Sequence, residues 1–113
     1  MNIDTLEKML HDGRDSAMLR LTLARLLSDQ GRLQEAAAHL DSAVLQDAGY
    51  TAAWKALGHT QLALGDRQKA ASAWHQGIAI ARQKGDKQAE REMAVFLHRL
   101  RQAEDPPTRD GPV

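Results

Sequence analysis

Apolar and small residues recur at helical spacing in two consecutive runs near the middle of the chain. The first run carries Trp54, Leu57 and Gly58 at positions i, i+3 and i+4, and the second carries Ala70 and Trp74 four residues apart. Spacings of three and four residues place side chains on one face of an α-helix. The pattern predicts two amphipathic helices. We expect both tryptophan rings to be largely buried and close together, against Leu57 and Ala70.

The residues between these helices predict a tight turn. Gly65 suits the left-handed conformation that often ends a helix, and Asp66 suits the N-cap, where a carboxylate accepts a hydrogen bond from a free backbone N–H. The two helices should therefore form an antiparallel hairpin. The same roles are predicted for two further pairs, Gly49 with Thr51 and Gly85 with Asp86.

A fainter copy of this hairpin lies 34 residues upstream. At that offset, apolar or small residues coincide: Leu23 with Leu57, Gly31 with Gly65, Ala36 with Ala70, Leu40 with Trp74 and Ala43 with Gly77. A fixed period of this length is typical of repeat proteins, in which each helix pair buries its apolar face only when a neighbour stacks on it.

Six helices and an all-α fold follow from the whole pattern, near residues 3–11, 16–30, 33–47, 52–64, 67–84 and 87–103. We expect one domain over 1–104, with repeat one at 17–50, repeat two at 51–84, a short N-terminal helix and a C-terminal capping helix at 86–104. The capping helix should turn one apolar stripe toward the stack, formed by Ala89, Met93, Phe96, Leu97 and Leu100. Residues 105–113 hold all the prolines and no apolar period, and they predict a disordered tail.

The order Trp54, Leu57-Gly58, Ala70, Trp74 resembles the tetratricopeptide repeat, a pattern of 34 residues. Repeat two departs from it at Gln61, where an aromatic residue is usual, and at Arg82, where proline is usual; repeat one matches more weakly. The resemblance implies an α-α superhelix whose concave groove binds a protein or peptide. The groove residues implied by the family pattern are Met18, Leu21, Arg25, Lys55, His59, Lys87 and Glu90.

Composition narrows the possible functions. The chain has 113 residues, 15 basic and 15 acidic, so it lacks the positive excess typical of nucleic-acid binders. It has no cysteine, no apolar run long enough for a membrane span and no secretory leader, which together predict a cytoplasmic protein. Residues 1–53 carry a net charge of −3 and residues 54–113 a net charge of +3. Either the solvated helix faces simply differ, or copies of the chain self-associate weakly head to tail.

No residue pattern predicts catalysis, a metal or a cofactor. The five histidines lack zinc-ligand spacing, and the glycines do not form a phosphate-binding loop. Glu35 and His39, four residues apart, are interpreted as an exposed pair that stabilises its helix. We therefore expect a protein that is not an enzyme.

Two functions remain open from the sequence. In the first, Arg25, Lys55 and a protonated His59 converge in the groove on an acidic or C-terminal peptide segment, with His59 adding its charge below about pH 6.5. The alternative for the same residues is an ordinary solvated helix face. The second function is a structural scaffold that self-associates into a weak homo-oligomer through its exposed stack ends.

Overall fold

A computed structural model describes residues 2–104, which form six α-helices and no strand. The all-α prediction is confirmed, and every predicted helix is present to within about two residues. The predicted disorder of 105–113 lies outside the described residues. The helices are α1 (Ile3–His11), α2 (Ala17–Asp29), α3 (Leu33–Gln46), α4 (Thr51–Ala63), α5 (Arg67–Lys84) and α6 (Lys87–Glu104).

Helices that are consecutive in the sequence pack against each other from α1 to α6. The closest associations are those of α2 with α3, α4 with α5, and α5 with α6. The alternate helices also touch, α2 with α4 and α4 with α6, so these three stand side by side. This is the arrangement of an α-α superhelix, in which α2, α4 and α6 share one side of the stack.

Two of the predicted helix boundaries have the expected cap. Gly65 has φ +86° after α4, and the carboxylate of Asp66 accepts a hydrogen bond from Lys69 N at 3.0 Å. Gly85 and Asp86 repeat the arrangement between α5 and α6, where Asp86 accepts from Ala89 N at 3.0 Å. The left-handed glycine lets the chain reverse without a Cβ clash, and the carboxylate caps the next helix.

The boundary between α3 and α4 differs from the prediction. The last residue of α3 is Gln46 with Asp47 as its C-cap, and Gly49 lacks a positive φ. Thr51 is already the first residue of α4, and the N-cap, Tyr50, makes no side-chain capping bond. The predicted roles of Gly49 and Thr51 are therefore wrong. The Asp47 carboxylate instead accepts from the Gly49 N–H at 3.1 Å and holds the connector by a local turn.

The buried residues form two clusters along the stack. The first joins α1 to α4 and part of α5, and the second joins α5 to α6. Met93, Leu97 and Leu100 of α6 are at most 5% exposed and belong to the second cluster. The apolar stripe predicted for the capping helix thus packs against α5, with Ala89 and Phe96 partly buried beside the other three residues. Helix α6 covers the end of the stack, as solenoids require of a terminal helix.

The two tryptophans lie in different places. Trp74 is 1% exposed and belongs to the second cluster with Ala70. Trp54 is only half-buried and packs at the edge of the first cluster. Its indole Nε1 donates to the Ala48 carbonyl at 2.8 Å, which turns the ring toward the connector that precedes α4. The expected burial is confirmed for Trp74, whereas Trp54 is more exposed and packs against a different cluster.

A polar cluster replaces the tryptophan in repeat one. Arg20, which occupies the position of Trp54, donates two hydrogen bonds to the Asp15 carboxylate at 2.8 Å. Its Nη1 lies 3.2 Å from Nδ1 of His39. Glu35 pairs with Arg32 at 2.7 Å, so the predicted pairing of Glu35 with His39 is wrong. His39 instead belongs to the contact between α2 and α3.

Candidate functional site

A groove runs between α2 and α4, on the side of the stack that these helices share. It contains a cavity of about 250 Å³, here called the groove cavity. Its floor is largely alanine, and its rim carries charged and polar side chains. The lining residues are Ala24, Arg25, Ser28, Asp29, Leu40, Ala52, Lys55, Ala56, His59 and Thr60.

Three of the predicted site residues meet in this cavity. Lys55 and His59 are one helical turn apart on α4, so they share a face. Arg25 stands on α2, at the position that corresponds to His59 after the 34-residue offset. Because α2 and α4 lie side by side, equivalent positions on the two helices line the same cavity. Arg25 is exposed and Lys55 is half-buried.

The positive charge of the groove cavity is partly compensated. Lys55 Nζ donates to Glu92 Oε1 at 2.9 Å, and this hydrogen bond holds the pKa of Glu92 below its usual value. Asp29 also lines the cavity. Sequence analysis did not identify either carboxylate. Glu92 stands on α6, 37 residues after Lys55, so the 34-residue period does not relate the two positions.

His59 differs from the prediction in its charge. Part of the residue is open to the groove, but its ring packs edge-on against Trp74 and Phe96, with centroids 5.2 and 4.4 Å apart. This burial lowers the pKa of His59 below 6.5, and the nearby charge of Lys55 lowers it further. The imidazole is therefore neutral near pH 7. It provides a polar, partly aromatic wall rather than a third cation.

The structure removes Leu21 from the predicted groove residues. Leu21 is 1% exposed and packs in the first core cluster, so it offers no surface to a ligand. Met18 is 69% exposed but lines a different cavity, beside Tyr50 at the start of α4. Neither of these two residues therefore lines the groove cavity, although the family pattern implies both. Leu21 is buried because more than one face of α2 is covered in repeat one. The leucines at positions 19, 21 and 23 of this helix are all buried.

The two predicted residues of α6 do not line the groove cavity. Lys87 is exposed at the start of the helix, and Glu90 accepts from Arg82 Nε at 2.7 Å. A neighbouring cavity of about 260 Å³ lies between the first turns of α4 and α6. Lys55 and Glu92 line it, whereas Lys87 and Glu90 do not. Of the seven predicted residues, Arg25, Lys55 and His59 are brought together.

Within residues 2–104, no three histidine or carboxylate side chains come close enough to hold a metal ion together. The helices of the same region are too short or too polar to span a lipid bilayer.

The fold agrees with comparisons to known proteins. The family model described as tetratricopeptide repeat matches residues 3–59. The chain is 50% identical over 103 residues to TPR repeat-containing protein PA0015 of Pseudomonas aeruginosa, covering 91% of this chain and 98% of that protein. This chain belongs to the tetratricopeptide repeat family. Members of this family generally serve as modules for protein–protein interaction and as non-catalytic scaffolds.

A solved structure resembles the whole stack. The solution structure of protein BPP2914 from Bordetella parapertussis matches with a TM-score of 0.78 and 39% sequence identity. The match covers 90% of this chain and 89% of that one. The similarity therefore extends beyond the residues matched by the family model and includes the second repeat and the capping helix.

Proposed function

We propose that this protein is a non-catalytic binding module that holds an acidic peptide segment in the groove cavity. The observation that supports this most directly is the meeting of Arg25 and Lys55, from two consecutive repeats, at the rim of one cavity. Guanidinium and ammonium groups on neighbouring helices can both reach one carboxylate, the first as a planar fork and the second as a point charge. A C-terminal carboxylate would meet the same pair.

The floor of the cavity favours an extended peptide. Ala24, Ala52 and Ala56 leave room for a peptide backbone to approach the helices closely. Ser28 and Thr60 line the same cavity, and their side chains carry hydroxyls that can hydrogen-bond to such a backbone. The alanines supply apolar contact and the polar residues fix the orientation, as is usual for small binding sites.

An acidic ligand has to compete with Glu92 for Lys55. The Lys55–Glu92 pair is partly exposed, with 32% and 38% of the two side chains accessible. Such pairs contribute about 0–1 kcal/mol, so replacing the Glu92 carboxylate with a ligand carboxylate costs little. Binding should be weak and should decrease with added salt, because charges of this kind are screened over about 10 Å at 0.1 M.

The test uses a partner captured from a native lysate with the whole chain as bait. Its affinity is measured for the wild type and for the Arg25→Ala/Lys55→Ala double variant. The control is Arg14→Ala/Lys87→Ala, which also removes two exposed cations but none from the cavity. We expect the first variant to lose about tenfold or more in affinity and the control to lose much less. Equal losses would show that only net charge matters, and unchanged binding by both would remove the groove from the site.

Self-association is the second proposed function, and one observation favours it. Leu45 on α3 is 86% exposed and Met18 on α2 is 69% exposed, although both are large apolar side chains. Light scattering across a range of protein concentrations tests this alternative, with Leu45→Glu as the variant. A mass that rises with concentration and falls back to one chain in the variant would support it. A constant monomer mass would exclude it.

The proposal of a peptide-binding module includes the cytoplasmic location that the sequence predicts. An acidic peptide or protein segment of the cytoplasm is then the partner class.

A further inference from the structure

A second cavity lies between the end of α4, the start of α5 and the end of α6. It has a volume of about 290 Å³ and is here called the end cavity. It shares only His59 with the groove cavity. Its lining combines aromatic and aliphatic side chains with two arginines: His59, Leu62, Arg67, Trp74, Phe96, Arg99, Leu100 and Ala103.

The apolar wall of the end cavity is built from rings in mutual contact. Trp74 and Phe96 have centroids 5.5 Å apart with their planes tilted by 44°, and both pack against His59. Leu62 is 37% exposed beside them. Aromatic walls of this kind favour another flat or branched apolar group, which packs against the ring edges and faces.

The two arginines give the end cavity a positive charge that no lining residue neutralises. No carboxylate is among the lining residues, in contrast to the groove cavity with its Asp29. Nη1 of Arg67 is buried, yet it has no hydrogen-bond partner among the described residues. A guanidinium stays charged at any physiological pH, and a buried donor without a partner is costly. An anionic acceptor in the cavity would pair with the Arg67 guanidinium, and Nη1 would take part once the side chain shifts to expose it.

We propose that the end cavity binds a peptide segment of a partner protein in which an aspartate or glutamate adjoins an aromatic or aliphatic side chain. The carboxylate pairs with Arg67 and Arg99, and the apolar side chain packs against Phe96, Leu62 and Leu100. Charge complementarity selects an acidic ligand, and the aromatic wall selects an apolar neighbour. This site does not depend on occupation of the groove cavity, since its cations are different residues.

The probe for this site is phenylacetate, which joins a carboxylate to a phenyl group, with its neutral analogue phenylacetamide as the comparison. Both are titrated into the full chain, and the NMR signals of the Trp74 indole N–H and the Phe96 ring are followed. We expect phenylacetate to shift both signals saturably. Phenylacetamide should bind at least about tenfold more weakly, because charge-assisted hydrogen bonds are the stronger ones.

Variants then locate the carboxylate. Arg67→Gln should reduce phenylacetate affinity about tenfold, and Arg99→Gln should reduce it as well. Arg91→Gln is the control, because Arg91 is exposed on α6 outside the cavity. Circular dichroism confirms that each variant is folded. The Arg25→Ala/Lys55→Ala variant should bind phenylacetate as the wild type does, which separates this site from the groove cavity.

Three results would overturn the proposal. Equal binding of phenylacetamide would show that the arginines do not recognise the ligand. Loss of phenylacetate binding in the Arg25→Ala/Lys55→Ala variant would place the ligand in the groove cavity. The absence of saturable shifts up to about 20 mM, well above a millimolar Kd, would show that the end cavity holds only water or is covered by the chain itself.

Discussion

The indole of Trp74 lies directly against the backbone of Gly58, and its Nε1 donates to the Lys55 carbonyl at 3.2 Å. A Cβ at position 58 would overlap the indole ring. The absence of a side chain on α4 therefore allows α5 to approach closely enough for Trp74 to be buried. Two residues of the repeat pattern, the glycine and the large aromatic, are thus explained by one contact.

Gly58→Ala should destabilise the protein. Alanine gains up to about 1 kcal/mol in helix propensity over glycine, but the overlap with Trp74 costs about 1–3 kcal/mol or more. We expect a net loss of about 1–2 kcal/mol in the free energy of unfolding, measured by urea denaturation. The control Ser72→Ala, at an exposed site in α5, should change it little. A Gly58→Ala variant more stable than the wild type would show that the ring moves freely.

Trp74→Ala should be more damaging still. The side chain is 1% exposed, so its removal leaves a cavity between helices that cannot collapse fully. We expect a loss of about 3–5 kcal/mol in the free energy of unfolding. Trp74→Phe keeps most of the apolar contact but loses the hydrogen bond to Lys55, and it should cost less. A Trp74→Ala variant with an unchanged thermal midpoint would contradict the central packing role of this ring.

Asp15 should make the stability of the protein sensitive to acid. Hydrogen bonds from Arg20, and another from Gln46 at 3.0 Å, hold the pKa of Asp15 far below its usual value. Because the pKa of Asp15 is lower in the folded state than in the unfolded state, its carboxylate stabilises the folded protein above the unfolded pKa of about 3.9. This stabilisation is lost as the pH falls through the folded pKa. Asp15→Asn should therefore melt below the wild type at pH 7, and the gap should narrow below about pH 4.

Asp41→Asn is the control for that experiment, because Asp41 is exposed and makes no ion pair with any residue from 2 to 104. Its melting temperature should follow the wild type at each pH. If the melting temperatures of the wild type and Asp15→Asn differ by the same amount down to low pH, the charge of Asp15 is not the cause of the difference.

His59 should titrate below pH 6.5. Burial against Trp74 and Phe96 is the larger cause, and the charge of Lys55 is the smaller one. In Lys55→Met the NMR titration midpoint of His59 should therefore rise but stay below 6.5. Since the folded pKa is lowered, the unfolded chain takes up the proton more readily, and stability should decrease as the pH falls from about 7 toward 5. A wild-type midpoint above 6.5 would contradict the burial of the ring.

The groove residues show how far the repeat pattern predicts a site. Arg25 and His59 are one period apart, so their shared cavity follows from the period and from the side-by-side packing of α2 and α4. Leu21 and Lys55 are also one period apart, yet Leu21 is buried and Lys55 lines the cavity. The period identifies equivalent positions, but the local packing of each repeat decides whether a side chain is exposed.

The charge on the site could not be predicted from spacing. The pairing of Lys55 with Glu92 joins residues 37 apart on different helices. The neutral state of His59 depends on rings from α5 and α6 that close around it. Both effects depend on distances between side chains on different helices. Such distances shift the pKa of a side chain, but they cannot be derived from the spacing of residues along the sequence.

The sequence by itself determined the helices, their order and the repeat. Helical periodicity and the caps at Gly65 and Asp66 are local, since they depend on residues three or four positions apart. Only the tertiary structure decided how far Trp54 is buried and that Lys55 pairs with Glu92. It also decided that Arg67 lines a cavity together with aromatic side chains. Those features require segments distant in the chain to pack in one definite geometry, and small changes in helix spacing alter them without disturbing the pattern that forms the helices.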